Sequence, residues 1–182
     1  KNRIFNLLVK EKEIMRSRTS TWFETKVKYQ KTMEDGSEKV VSEAYVVDAL
    51  SFTEAESAII DEMSVYVSGE LKVSGISKAG YGEIFFSDVD DDDKWYKAKL
   101  QFITIDEKSE KEKRSNVTYL VQAKSLARAL RYIDEVMGKT MIDYDTVGLN
   151  ETKIMDVFEH HAPNEKKDEK NDVPEYEQQP AQ

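Results

Sequence analysis

The chain has 182 residues, of which 39% are apolar, 35% charged and 10% aromatic. That suffices for one domain, or two small ones sharing a core, and the aromatic share argues against wholesale disorder. The absence of cysteine excludes a disulfide framework and any Cys-based zinc site. A net charge of −9 excludes global attraction to nucleic acid or anionic membrane. No apolar run approaches the roughly 20 residues that span a bilayer. Together these features predict a cytoplasmic chain.

Residues 1–14 precede Met15, and Lys10-Glu11-Lys12-Glu13 are encoded by purine-only codons. The segment is read as a non-native or upstream-translated extension with Met15 as the start. A short helix carrying Ile4, Leu7 and Leu8 is the other reading, and the pattern of a secretory signal is missing.

From Trp22 to Tyr29 the residues alternate, with Phe23, Thr25, Val27 and Tyr29 on one strand face. Trp22, Glu24, Lys26 and Lys28 share the other face. Asp35-Gly36 is a hairpin signal, and the return strand turns Tyr45, Val47 and Ala49 inward. Ser51 with Glu54 predicts a helix N-terminus, followed by the apolar stripe Ala55, Ala58, Ile59 and Met63. Extended pieces follow at 71–73 and 84–86.

The pattern then recurs. Trp95-Tyr96-Lys97-Ala98-Lys99-Leu100-Gln101-Phe102 matches the first strand, and Tyr119-Leu120-Val121-Gln122-Ala123-Lys124-Ser125 matches Tyr45 to Ser51 with one residue gained between. Leu126, Ala129, Leu130, Ile133, Val136 and Met137 form the second helical stripe, which Gly138 stops. Gly75-Ile76 matches Gly148-Leu149, and Glu83-Ile84-Phe85 matches Asp156-Val157-Phe158. Extended pieces at 141–144 and 154–158 are strands, or the last a short helix.

The expectation is an α+β fold made by tandem duplication of a ββαβ unit. Each helix packs on a small antiparallel sheet, with a pseudo-twofold relating the copies. The first repeat is 15–88, an acidic linker is 89–94, and the second repeat is 95–162. Residues 163–182 are a disordered polar tail.

Two outward faces carry the most suggestive chemistry. Trp22 with Lys26 and Lys28, and Trp95 with Lys97 and Lys99, set an aromatic beside two cations twice. Such a face stacks single-stranded bases, and Arg16 and Arg18 would add phosphate contacts. The competing reading has Val46 and Leu120 pointing the same way, so that the other repeat or a second subunit covers both tryptophans. The run Asp88, Asp90, Asp91, Asp92 and Asp93 lacks calcium-loop spacing and is read as a solvated linker. His160 and His161 are the sole histidines and are read as solvated; Asp156 would share a helical face with His160 but supplies no third metal ligand. No nucleophile–base arrangement, metal site or cofactor is implied.

Thr21-Trp22-Phe23-Glu24, Tyr45 to Phe52, Glu83 to Asp88 and Lys153 to Phe158 resemble a family of small proteins built on a domain of unknown function, from gut bacteria and their phages. The resemblance spans roughly Met15 to Pro163 and implies a phage or mobile-element setting. A looser likeness exists to a duplicated large-subunit ribosomal protein of archaea and eukaryotes, at fold level only. The functional expectation is a non-enzymatic binding or adaptor protein acting through protein–protein contacts at the tryptophan faces. The alternatives are a single-stranded DNA or RNA binder using those faces, and an enzyme with an unrecognised carboxylate site. A protein partner is expected, nucleic acid is the second choice, a homo-oligomer is open, and no membrane is involved.

Overall fold

The computed structural model describes residues 15–160, so the expectations for 1–14, for His161 and for the tail at 163–182 lie outside the described residues. The strands are β1 (Met15–Arg18), β2 (Trp22–Thr32), β3 (Glu38–Asp48), β4 (Leu71–Lys78), β5 (Tyr81–Ser87), β6 (Lys94–Ile105), β7 (Glu112–Ala123), β8 (Asp143–Glu151) and β9 (Ile154–Phe158). Helix α1 (Phe52–Ser64) follows β3 and α2 (Leu126–Met137) follows β7. This is a mixed α+β fold, dominated by strands.

Local chemistry sets the elements. β2 and β3 form a long antiparallel hairpin, in register from Trp22 opposite Asp48 to Thr32 opposite Glu38. Its turn needs a left-handed residue, which Gly36 supplies at φ +79°. Ser51 caps α1 by accepting from Glu54 N at 3.2 Å, while the Glu54 carboxylate accepts from Leu50 N at 2.7 Å. Ser125 caps α2 through Arg128 N at 3.3 Å. α1 buries the predicted Ala55, Ala58, Ile59 and Met63. α2 buries Ala129, Ile133 and Met137, but Tyr132 rather than Leu126 or Leu130 completes its face. Those two leucines stay 49% and 41% exposed.

The sheets differ from expectation. They are mixed rather than antiparallel, in the orders β4-β2-β3-β9 and β1-β5-β7-β6-β8. Both extended pieces expected after each helix are strands, one more than a ββαβ unit holds, and the last of each half leaves its own hairpin. β5 pairs with β7 in parallel, and β9 pairs with β3 in parallel. Among the described residues the outer edge of β5 is covered by β1, antiparallel. The segment ending at Phe158 is a strand, not a helix.

Three apolar layers hold the molecule. α1 covers one sheet through Phe23, Val27, Tyr45, Val47 and the helix stripe. α2 covers the other through Tyr96, Leu100, Tyr119, Val121 and its own stripe. The opposite faces of the two sheets close on each other through Trp22, Val46, Ile84, Phe86, Trp95 and Leu120, with Val157 beside them. The order is therefore helix, sheet, sheet, helix. Among the described residues no helix is long and apolar enough to cross a membrane.

Candidate functional site

The sheet faces expected to bind a partner are spent inside the fold. Trp22 is 0% and Trp95 2% exposed, both in the seam between the sheets. A base cannot stack on a ring already covered by Phe86 and its neighbours. This corrects the picture of Trp22 and Trp95 as an open platform and agrees with the competing one, in which the other half covers them. The lysines separate from the tryptophans because the strands outrun the seam. Lys26, Lys28, Lys97 and Lys99 are exposed. Lys97 lies 3.5 Å from Glu24 and over the Tyr81 ring, whose hydroxyl donates to the same Glu24.

Other predicted groups also have internal work. Arg16 and Arg18 both donate to Glu159, and Arg18 pairs with the buried Asp48 at 2.6 Å. They tie β1 to the end of β9 rather than wait for phosphate. His160 is not simply solvated, since its Nε2 lies 3.1 Å from Glu62 and its backbone N–H donates to Asp48. Within the acidic run, Asp92 is buried, which corrects the picture of a wholly solvated linker.

The best-formed candidate lies elsewhere. Beyond the C-terminal end of α1, on the helix side of the β3 sheet, is an open cleft of about 630 Å³. Tyr29, Glu43 and Tyr45 rise from the hairpin, Met63 and Tyr66 come from the end of α1, and Met155, Asp156 and Phe158 come from β9. The site exists because β9 crosses into this sheet. A bulge between Ala44 and Tyr45 sets Met155 as the extra residue and turns Asp156 and Phe158 toward the helix side. Phe158 then stacks on Tyr45, centroids 5.5 Å apart and planes at 20°.

Glu43 is the polar centre. Tyr29 and Tyr45 hydroxyls each donate to it at 2.7 Å, and Lys31 Nζ lies 3.3 Å away. Partial burial raises the Glu43 carboxyl, but the two hydroxyls and Lys31 outweigh it and hold the group below the usual range. Burial, then the bond to Glu43, pushes Tyr29 up to about 12 and Tyr45 higher still. Asp156 keeps contact with solvent, yet desolvation at the cleft wall pushes its carboxyl up, against the bond it accepts from Val157 N at 2.7 Å.

The raised tyrosines predict an alkaline weakness. A phenol whose folded value exceeds its unfolded value near 10 contributes stability that is whole below about pH 10. That contribution is lost as pH climbs through about 12, the Tyr29 value. Tyr29→Phe should make the alkaline fall of urea-unfolding stability shallower by close to one proton. Superimposable limbs for the two proteins would refute the Glu43–tyrosine cluster.

The sequence pattern of the second half sets hydrocarbon against Tyr29 and Glu43. Phe102 and Val117 stand where Tyr29 and Glu43 do, and Gly82 takes the place of Met155. A Cβ on Gly82 would come within 3.0 Å of Val117 Cγ1 and 3.1 Å of Tyr119 Cε1, so the side chains there have closed over the strand. Sequence reasoning passed over the cleft. Its one signal was Glu43, a charge in the inward phase of a strand that continues through Tyr45 and Val47.

Fold and site together define a four-layer α+β protein with an aromatic, acid-bearing cleft on one helix-covered sheet. The chain matches a domain of unknown function, DUF4494, over residues 21–160, and it belongs to that family. No curated protein and no solved structure matches it.

Proposed function

We propose that the protein is a non-enzymatic binding or adaptor protein acting through protein–protein contacts, with the cleft beside Glu43 as its docking surface. The observation that carries this reading is the cleft's apolar rim. Tyr66 is 74% and Met155 51% exposed around a concave surface, in a fold whose other large aromatics lie mostly inside. Clustered exposed apolar groups with a few fixed polar ones suit a protein partner. Glu43 is engaged by three donors, an arrangement that favours a fixed recognition element over a group poised for proton transfer. The family resemblance favours a phage or mobile-element setting, and the lack of cysteine suits a cytoplasmic one.

The same reading takes residues 15–88 and 95–162 as a tandem duplication, each copy lending its last strand to the other's sheet. Paired details support it. Ala79 N donates to Trp22 O at 2.8 Å, and Thr152 N to Trp95 O at 2.9 Å. Bulges interrupt the pairing beside Gly75 and beside Gly148. Ser87 N donates to the Gln122 side chain, as His160 N does to Asp48. On this view the copies diverged where Tyr29 and Glu43 face Phe102 and Val117, leaving one working cleft.

Selection from a random peptide display library tests the docking role. Enriched peptides should bind the purified protein and lose at least about tenfold in affinity when Met155→Lys closes the rim. Single-stranded oligonucleotides should bind no better than salt-screened background. Enriched peptides indifferent to Met155→Lys would overturn the reading. So would salt-sensitive oligonucleotide binding that depends on Lys26, Lys28, Lys97 and Lys99, which would favour the nucleic-acid alternative.

A further inference from the structure

We propose that the cleft receives an arginine side chain carried on a basic segment of the partner protein, an inference that rests on the docking reading above. The argument is one of charge and shape. Among the described residues two carboxylates, Glu43 and Asp156, and one cation, Lys31, line the cleft. Lys31 is already committed to Glu43. Among the described residues no cation pairs with Asp156, whose one hydrogen bond comes from its own neighbour Val157. Desolvation pushes its carboxyl up, and an incoming cation would act against that shift.

The walls select the kind of cation. The half-buried Phe158 stands at the wall, backed by the buried Tyr45 ring it stacks on, and Tyr66 stands at the mouth, mostly exposed. A guanidinium is planar and weakly hydrated, lies flat on aromatic faces, and offers a fork of donors to a carboxylate. An ammonium is a compact, strongly hydrated charge and gains less from such walls. Arginine therefore satisfies Asp156 and the rings at once. The whole chain's net charge of −9 draws a basic segment toward the protein before contact. In the second half Glu83 stands where Asp156 does, but Phe102 and Val117 replace the Tyr29–Glu43 pair and Val117 and Tyr119 close over Gly82.

The test uses the full chain and three acetylated, amidated tripeptides, Ala-Arg-Ala and its citrulline and norleucine analogues. Citrulline keeps the shape and hydrogen bonding of arginine but not the charge. The arginine peptide should shift the NMR signals of Tyr45, Met155 and Phe158, and the analogues should bind at least about tenfold more weakly. Asp156→Asn should bring the arginine peptide down to the citrulline level with the melting temperature unchanged. Tyr66→Ala should weaken it about threefold. Equal binding of arginine and citrulline peptides to the unmutated protein would overturn the inference, whatever becomes of the variants. Shifts confined to residues outside the cleft would overturn it too. If norleucine occupies the cleft as well as arginine, the arginine inference falls while the docking role stands. If display-selected peptides bypass the cleft, both fall.

Discussion

Replacing Trp95 with alanine is expected to destabilise the fold by about 3–5 kcal/mol, among the largest costs of any single change. The ring is 2% exposed and meets Phe86 edge to face, centroids 5.6 Å apart at 83°. It lies in the seam where the two sheets close, so the cavity would open between layers rather than at an edge. A loss of that size is a large fraction of the 5–15 kcal/mol that typically separates folded from unfolded domains. Urea unfolding should show the midpoint collapse, and a cost under about 1 kcal/mol would mean the seam is not closed. Trp22 allows a finer comparison. Its Nε1 is buried and finds no acceptor among the described residues. Trp22→Phe removes that unpaired donor along with part of the ring, and such a donor costs about 1–3 kcal/mol. Phenylalanine should therefore be tolerated better at 22 than at 95.

Asp92→Ala should cost about 3–5 kcal/mol, while alanine at Asp90, Asp91 or Asp93 changes stability by no more than about 0.5 kcal/mol. The neighbours are exposed, and Asp92 is 1% exposed. Its carboxylate accepts from Lys124 N at 2.9 Å and from the Tyr132 hydroxyl at 2.7 Å, and also from Ser87 Oγ. Arg128 Nε lies 3.2 Å away. One side chain thus fixes the connection between β5 and β6 to the start of α2. Removing it leaves the Tyr132 hydroxyl and the Lys124 backbone N–H without their acceptor, and each buried orphan carries its own desolvation cost, while Arg128 keeps its bond to Tyr132. Thermal melts of the four alanine variants decide the matter. Equal small effects at all four positions would show the run to be solvated throughout.

Those two sites also mark where sequence reading stops. The alternation in β2 and β6, the Asp-Gly turn, and the Ser51 and Ser125 caps are local signals, and the structure carries each of them. The shared seam was foreshadowed by Val46 and Leu120 pointing the same way as the tryptophans. Where Lys26, Lys28, Lys97 and Lys99 end up was not, because it depends on how far each strand runs past the packed region. Asp92 looks like its exposed neighbours in the chain, and only the approach of α2 distinguishes it. The crossing of β5 and β9 into the opposite sheets is a long-range pairing that leaves no periodic trace. The cleft depends on that crossing, since Met155, Asp156 and Phe158 reach Glu43 only through it. Glu43 in an inward position was the one visible sign.

Tryptophan emission tests most directly the claim that the tryptophan faces are an internal seam and that binding occurs elsewhere. Trp22 and Trp95 are the sole tryptophans, and both report on the seam. The account predicts blue-shifted emission that single-stranded DNA and RNA leave unchanged at low and moderate salt. Red-shifted emission, quenched by nucleic acid and restored by salt, would contradict it and return the binding face to the tryptophans.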